Sequence, residues 1–370
     1  MNTTQKSLCT AALLLTTAAP ALAGGLSRSD QSIGILFEKS ANYVELSYGK
    51  VMPDVTGNAQ TGPISNVAAD HTLPGLAYKT DVNDKVSLAF TYDNAYGADI
   101  AYDGNPAATV LGGTQAEVNS QGFTFLGRYK FDDNWSMHGG FRASKADASV
   151  TLAGLGYGQL SGYNATLDSD WGFGYLIGGA YERPEIALRV ALTYQSKTTH
   201  EFPTVERMGT NVMAAGDTKV TTPEAVTLDF QTGVAADTLV FGSLRWEHWT
   251  QMKTQPTFFN AATSGSNLTD LSNSTTLTLG VGRKFTENWS GSVFATYEKS
   301  GGGDEVSPLA PTNGYKGIGV AAIYTQDNIK VTAGLRYMKL GNAWATTAQP
   351  VAEMRGNDAW AAGLKVGYSF

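Results

Sequence analysis

The chain has 370 residues, a net charge of −7, 42 glycines, and Tyr, Phe and Trp at 17, 15 and 7. That acidic balance argues against nucleic acid as a partner. A single cysteine, Cys9, rules out a disulfide scaffold or a thiolate metal site.

The first element is a predicted signal peptide, residues 1–23. Lys6 stands in a polar head, an apolar run extends from Leu8 to Ala19, and Pro20-Ala21-Leu22-Ala23 offers a small-residue cleavage site after Ala23. Beyond it no apolar run approaches the ~20 residues of a membrane helix, so any crossing must be made by strands closed into a barrel.

Residues 24–40 come next. Ser29 or Asp30 is positioned to cap a short helix with Ile33, Leu36 and Phe37 on one face. A barrel of this size needs something in its lumen, so the segment reads as an N-terminal plug, with a loose tail as the alternative.

From residue 41 the dominant period is two. Ile186, Leu188, Val190, Leu192 and Tyr194 share one face while Ala187, Arg189, Ala191 and Thr193 take the other. About fourteen such segments occur: 41–51, 71–80, 85–93, 116–131, 135–150, 163–182, 186–202, 222–235, 238–253, 273–286, 289–300, 314–325, 329–342 and 357–370. Short Asp/Asn/Pro turns such as Asp132-Asp133-Asn134 alternate with long Gly/Thr/Asn loops at 52–70, 94–115, 151–162, 203–221, 254–272, 301–313 and 343–356. The expected fold is therefore all-β, a transmembrane antiparallel barrel of about 14 strands spanning residues 41–370, with a hatch in the lumen. A soluble sandwich has no reason to sort its connections into short and long by turns. The last strand ends in alternating apolar residues and Phe370, which resembles the signal read by the outer-membrane assembly machinery.

The beginning of the chain, Gly25-Leu-Ser-Arg-Ser-Asp-Gln-Ser-Ile-Gly-Ile-Leu-Phe-Glu38 followed by Tyr43–Gly49 and Pro53–Gly57, resembles the start of FadL-type proteins. Tyr181–Tyr194, Phe230–Asp237 and Gly282–Gly291 are similar to later segments of that family. The resemblance covers essentially the whole processed chain. It implies an outer-membrane transporter of long-chain fatty acids or aromatic hydrocarbons, a fourteen-stranded barrel plugged by a hatch, and sideways release where the third strand kinks. It also implies a monomer among lipid and lipopolysaccharide, with no cofactor. One departure stands out: the family's hatch motif Asn-Pro-Ala is absent from residues 24–50, and Asn105-Pro106-Ala107 lies in the second long loop.

Candidate site residues follow. Alternation in the third strand breaks at Asp93, Asn94, Ala95, Tyr96 and Gly97, the expected lateral gate; the alternative is a strand that simply ends there. Arg128, Arg142, Arg189, Arg245 and Arg336 face inward, where a cation holds a carboxylate by a charge-assisted bond or else pairs with a lumen acid, as Arg245 and Glu247 are spaced to do. Lys365 shares that face. Phe202, Met208, Met213, Phe258 and Phe259, in or beside the fourth and fifth loops, read as an outer greasy groove or as packing for a rigid cap. Arg28, Asp30, Ile33, Leu36 and Phe37 are the expected hatch contacts. His71, His138, His200 and His248 share no metal-ligand spacing, and no acid–base–nucleophile set is evident, so neither an enzyme nor a metal site is expected. A general porin and an adhesive barrel remain as competing readings.

Overall fold

The computed structural model describes residues 25–29 and 31–370; the proposed signal peptide and Asp30 lie outside the described residues. Fourteen antiparallel strands close on themselves. They are β1 (Asn42–Asp54), β2 (His71–Asp81), β3 (Val86–Asp93, continued at Ala98–Ala101), β4 (Gln115–Lys130), β5 (Trp135–Leu152), β6 (Tyr163–Arg183) and β7 (Leu188–Gln195, continued at Thr198–Met208). The circuit continues through β8 (Asn211–Thr222, continued at Ala225–Ala235), β9 (Thr238–Glu247), β10 (Ser274–Lys284), β11 (Trp289–Glu298), β12 (Tyr315–Gln326), β13 (Ile329–Leu340) and β14 (Asp358–Ser369). β1 pairs with β2 through Tyr43↔Lys79 and with β14 through Tyr43↔Ser369, which leaves no open edge at the closing seam.

Alternation decides which side faces out. Phe141 (76% exposed) and Phe173 (72%) belong to an outward apolar belt, while Arg128, Thr124, His138 and Thr193 are buried inside. Tyr and Trp form two rims of that belt. Trp135–Tyr181 and Trp289–Tyr324 stack near the short turns, and Tyr175–Tyr194 and Tyr337–Trp360 near the long loops. Asp237 and Asp327 adopt the left-handed conformation that their two-residue turns require.

The long loops are more ordered than their composition suggests. Five short strands, among them Gly57–Ala59 and Pro350–Met354, form a second sheet over the mouth. The expected fourth loop, 203–221, is instead a continuation of β7 and β8 into one tall hairpin turning at Gly209. Its polar composition mimics a loop because part of the ribbon stands clear of the apolar belt. The fifth loop holds a helix, Thr257–Ala262, and β9 stops at Glu247, short of the expected residue 253.

Inside the barrel, large rings sit over glycines on neighbouring strands. Phe241 is fully buried, and a Cβ on its cross-strand partner Gly280 would lie 2.3 Å from the ring. Phe294 covers Gly319 in the same way. Gly280→Val therefore overpacks the wall by about 1–3 kcal/mol. We expect a lower temperature for the heat-induced mobility shift on gels, whereas Gly303→Val, with open space around it, leaves that temperature unchanged.

Candidate functional site

The segment expected to plug the barrel lies within the lumen. Leu26 packs with Ala98, Trp249, Leu271 and Ala310, and Gly25 lies so close to the Trp249 indole that a Cβ there would sit 2.3 Å from it. Lower down, a 3-10 turn at Gly34–Phe37 buries Ile35, Leu36 and Phe37, which join Ile33, Tyr43, Leu126 and Leu176 in one apolar cluster. The turn has no side-chain cap. Ser29, expected to provide one, instead accepts from Gln31 N and donates to the Asp93 carboxylate (2.9 Å). The Phe37 ring lies between the guanidinium groups of Arg128 and Arg189, each 4.4 Å from its centroid. Cation–π contact in such a dry place is worth about 2 kcal/mol.

Higher up, the hatch completes the wall. The β2–β3 ladder stops at Leu76↔Tyr92 and reappears only as a single bridge, Ala68↔Ile100. Residues 94–97 have left it. Their backbone pairs with the hatch instead: Arg28 N donates to Ala95 O (2.8 Å), Gly97 N to Leu26 O (2.9 Å), and Ser27 bridges Tyr96. Gly97 leaves room for the Arg28 side chain, because a Cβ would lie 2.5 Å from the guanidinium carbon and push that group aside. Arg28 is buried, with its Nε unpartnered among the described residues.

A cavity of about 160 Å³ lies at this break. Its lumen side carries Arg28, Ser29, Glu45, Arg336 and Lys365; its wall side carries Leu73, Pro74, Leu76, Tyr92, Asp93 and Asn94. Asp93 ties the two together, accepting from Arg142 Nη2 (2.5 Å) as well as from Ser29. Gly122 leaves room for that pair, since its Cβ would meet both side chains.

The inward arginines sort by partner. Arg128 pairs with Glu182 and reaches Leu36 O; Arg189 faces Phe37; Arg142 holds Asp93 and Thr124. Arg245 donates to Glu247 (3.2 Å), Gln195 and Thr227, as the spacing anticipated for the first of these. Arg336 donates to Tyr315 and lies over its ring. Three further pairs complete the floor near the short turns: Lys365, expected on the inward face, with Glu45 (2.9 Å), and two that the sequence reading missed, Lys330–Glu38 (2.9 Å) and Lys79–Asp81 (2.7 Å). Trp249 was missed as well. A Trp beyond a strand end gives no period to read.

The apolar residues of the outer loops pack into the cap. Phe202 and Phe259 are each 5% exposed, so the exposed groove expected of them is corrected to a covered core with Val51, Tyr163, Leu268 and Leu309. Phe258 and Met208 pack against that core, while Met213 is exposed on the tall hairpin. Glu206 locks the arrangement: buried, it accepts from the backbone N–H of Phe258 (2.7 Å) and Phe259 (2.8 Å) and from Tyr163 OH (2.8 Å).

Two changes test the hatch. Deleting residues 25–38 should leave the barrel heat-modifiable, because the ladder closing β1 on β14 does not use them, and should raise single-channel conductance sharply. Gly97→Val should raise conductance too, by lifting Arg28 from the wall; a closed channel in both variants would mean that the segment does not plug the lumen.

Residues 18–370 match the family model described as outer membrane protein transport protein (OMPP1/FadL/TodX). The long-chain fatty acid transport protein of Escherichia coli is 25% identical over 206 residues, which are 49% of this chain and 46% of that protein, so the match spans about half of the relative's length. Outer membrane protein P1 of Haemophilus influenzae is 23% identical over 310 residues, 74% of this chain and 67% of the relative. Among solved structures, a Pseudomonas aeruginosa FadL homologue superposes with a TM-score of 0.71 at 14% identity, covering 91% of this chain and 92% of its own. The P. putida toluene transporter TodX superposes with 0.66 at 12% identity, covering 95% and 94%. The structural likeness establishes the barrel fold, and the family match extends over nearly the whole sequence: the chain belongs to the FadL/TodX family of bacterial outer-membrane transport proteins.

Proposed function

We propose that this protein carries hydrophobic compounds inward across the outer membrane, long-chain fatty acids foremost, by capture at the extracellular cap, passage through the lumen and release sideways at Asp93–Gly97. The observation that carries the reading is the cavity at the β3 break. It joins a charged interior, Arg28, Arg336 and the Lys365–Glu45 pair, to an apolar rim, Leu73, Pro74, Leu76 and Tyr92. An amphiphile with a carboxylate at one end and an alkyl chain at the other matches that polarity, with the charge held by charge-assisted bonds. Release into lipid also keeps the chain out of water, at roughly 0.8 kcal/mol for each buried CH₂.

The hatch filling the lumen argues against a general porin, and membership of a family of transport proteins against an enzyme. Phe370 is exposed and stacks with Tyr78 and Tyr368, which leaves it presented for the assembly machinery in our reading. One observation favours aromatic hydrocarbons as an alternative cargo. Arg142, Arg245 and Lys365 already have carboxylate partners, so a fatty acid must displace one, whereas a neutral ring need not.

Uptake of radiolabelled oleate and toluene, in cells lacking the protein and regaining it, separates the two. Oleate uptake should return with the protein; return of toluene uptake alone would reassign the cargo. Replacing Asp93-Asn94-Ala95 by Val-Thr-Val, which restores alternation and removes the Arg142 partner, should cut oleate uptake by more than half in a barrel that remains heat-modifiable. Uptake at the original rate would mean that ligand does not leave through this break.

A further inference from the structure

The wall has a second interruption that the family match does not explain. β6 and β7 pair in one continuous register, Leu176↔Gln195 toward the short turns and Leu167↔Thr204 toward the loops. Just above the lower point Ser196 N still donates to Tyr175 O (2.8 Å); beyond it, residues 168–174 and 197–203 pair with their other neighbours and not with each other. The β2–β3 break has the same form, an in-register opening between Leu76↔Tyr92 and Ala68↔Ile100. The two are three strands apart, connected through the ladder by Asp93↔Gly122, Gly122↔Ser144 and Ser144↔Gly172.

Beyond the Ser196 N–Tyr175 O bond, side chains bridge the β6–β7 seam. Ser196 Oγ accepts from Tyr175 N (2.8 Å), and Asp170 Oδ2 accepts from Glu201 N (2.9 Å). Gly172 and Gly174 present no side chain, and Thr198 and His200 fill the space. A Cβ on Gly172 would lie 2.5 Å from Thr198 Cγ2 and 2.9 Å from His200 Cε1. The imidazole Nε2 of His200 is buried without a hydrogen-bond partner among the described residues. The Thr199 carbonyl also lies against Gly172, 2.8 Å from where a Cβ would stand, so the seam opens by a local parting of the two strands where they share few backbone bonds.

The hatch reaches this seam too. Gln195 Nε2 donates to Gln31 O (3.3 Å), and Gln31 Nε2 donates to Tyr96 OH (3.1 Å) at the first break. A cavity of about 10 Å³, the room of one water, lies on the lumen side between Gln31, Tyr96, Arg142, Gln195 and Thr198. The outer rims differ. At β2–β3 the rim is Leu73, Pro74, Leu76 and Tyr92; at β6–β7 the outward aromatics Trp171, Phe173 and Tyr175 stand beside exposed Lys197 and Glu201.

We propose that the β6–β7 seam is a second lateral port, which passes single-chain amphiphiles with the charged head at the polar boundary of the membrane. The aromatic face seats the alkyl chain while Lys197 meets an anionic head. Hatch withdrawal serves both ports, because Gln31 and Ser29 leave together. The inference rests on the transport reading above.

Cys9, the chain's only cysteine, lies in the proposed signal peptide, so a Gly174→Cys/Thr198→Cys pair is the only thiol pair of the processed protein. In lipopolysaccharide-containing proteoliposomes, oxidising that pair should slow transfer of labelled oleate at least twofold. It should abolish the transfer that remains in the Val-Thr-Val variant of the first gate. Dithiothreitol should restore both. Equal rates for oxidised and reduced protein in both backgrounds would overturn the proposal. Thr198→Cys alone gives a reading independent of transport: pyrenyl maleimide dissolved in the membrane should label it, faster when residues 25–38 are deleted. Absence of labelling in both proteins overturns the port. Labelling by a protein that moves no oleate supports the port and refutes fatty acids as the cargo.

Discussion

The rest of this structure depends on the requirement that backbone N–H and C=O groups facing hydrocarbon find partners within the protein. Closure of β1 on β14 meets that requirement around the circuit. At residues 94–97 the ladder fails, and the hatch backbone supplies the bonds that β2 does not. The hatch is therefore a substitute strand partner as much as a stopper. In the reading proposed above, displacing residues 26–28 from the wall therefore also unpairs the backbone of residues 95–97.

Buried charge imposes the second constraint. A lone cation in the lumen would be costly, and removing one partner of a buried pair typically costs 3–5 kcal/mol. The inward arginines accordingly meet Glu182, Asp93, Glu247 or the ring faces of Phe37 and Tyr315. Several of these bonds also position the hatch or the gate. The electrostatics of the lumen and the mechanics of its closure are thus built from the same side chains.

Much of the wall was legible in the sequence because a strand's side chains alternate with period two, and that pattern survives without knowledge of the neighbours. The inward face of Arg128 and Arg189 could be read this way. Their contact with Phe37 could not, because it joins strands to a segment with no period of its own. Of the two caps expected for the hatch turn, Asp30 lies outside the described residues, and Ser29 serves the wall at Asp93. The tall hairpin was hidden by its Thr, Lys and Glu content. Prolines mark the two interruptions of the ladder in the sequence itself. Pro74 lies in the β2 stretch that has lost β3, and Pro203 in the β7 stretch that has lost β6. Proline donates no N–H and is tolerated in a strand where the ladder is open. Gly172 and Gly174, opposite Thr198, are the companion signal.

Relative cost argues for a sideways exit. To leave downward, a ligand must displace the Phe37 turn and part Lys330 from Glu38 and Arg128 from Glu182. Stranding buried charges in this way costs several kcal/mol each, and the ligand then meets water with its whole apolar surface. To leave through the wall it displaces the few backbone bonds between residues 26–29 and 95–97, whose net worth is about 0.5–1.5 kcal/mol each. Beyond them it finds hydrocarbon. The cheaper path is also the one that preserves the ligand's own hydrophobic free energy. A floor braced by ion pairs and a wall held by a handful of hydrogen bonds is the distribution of strength that a laterally opening channel needs.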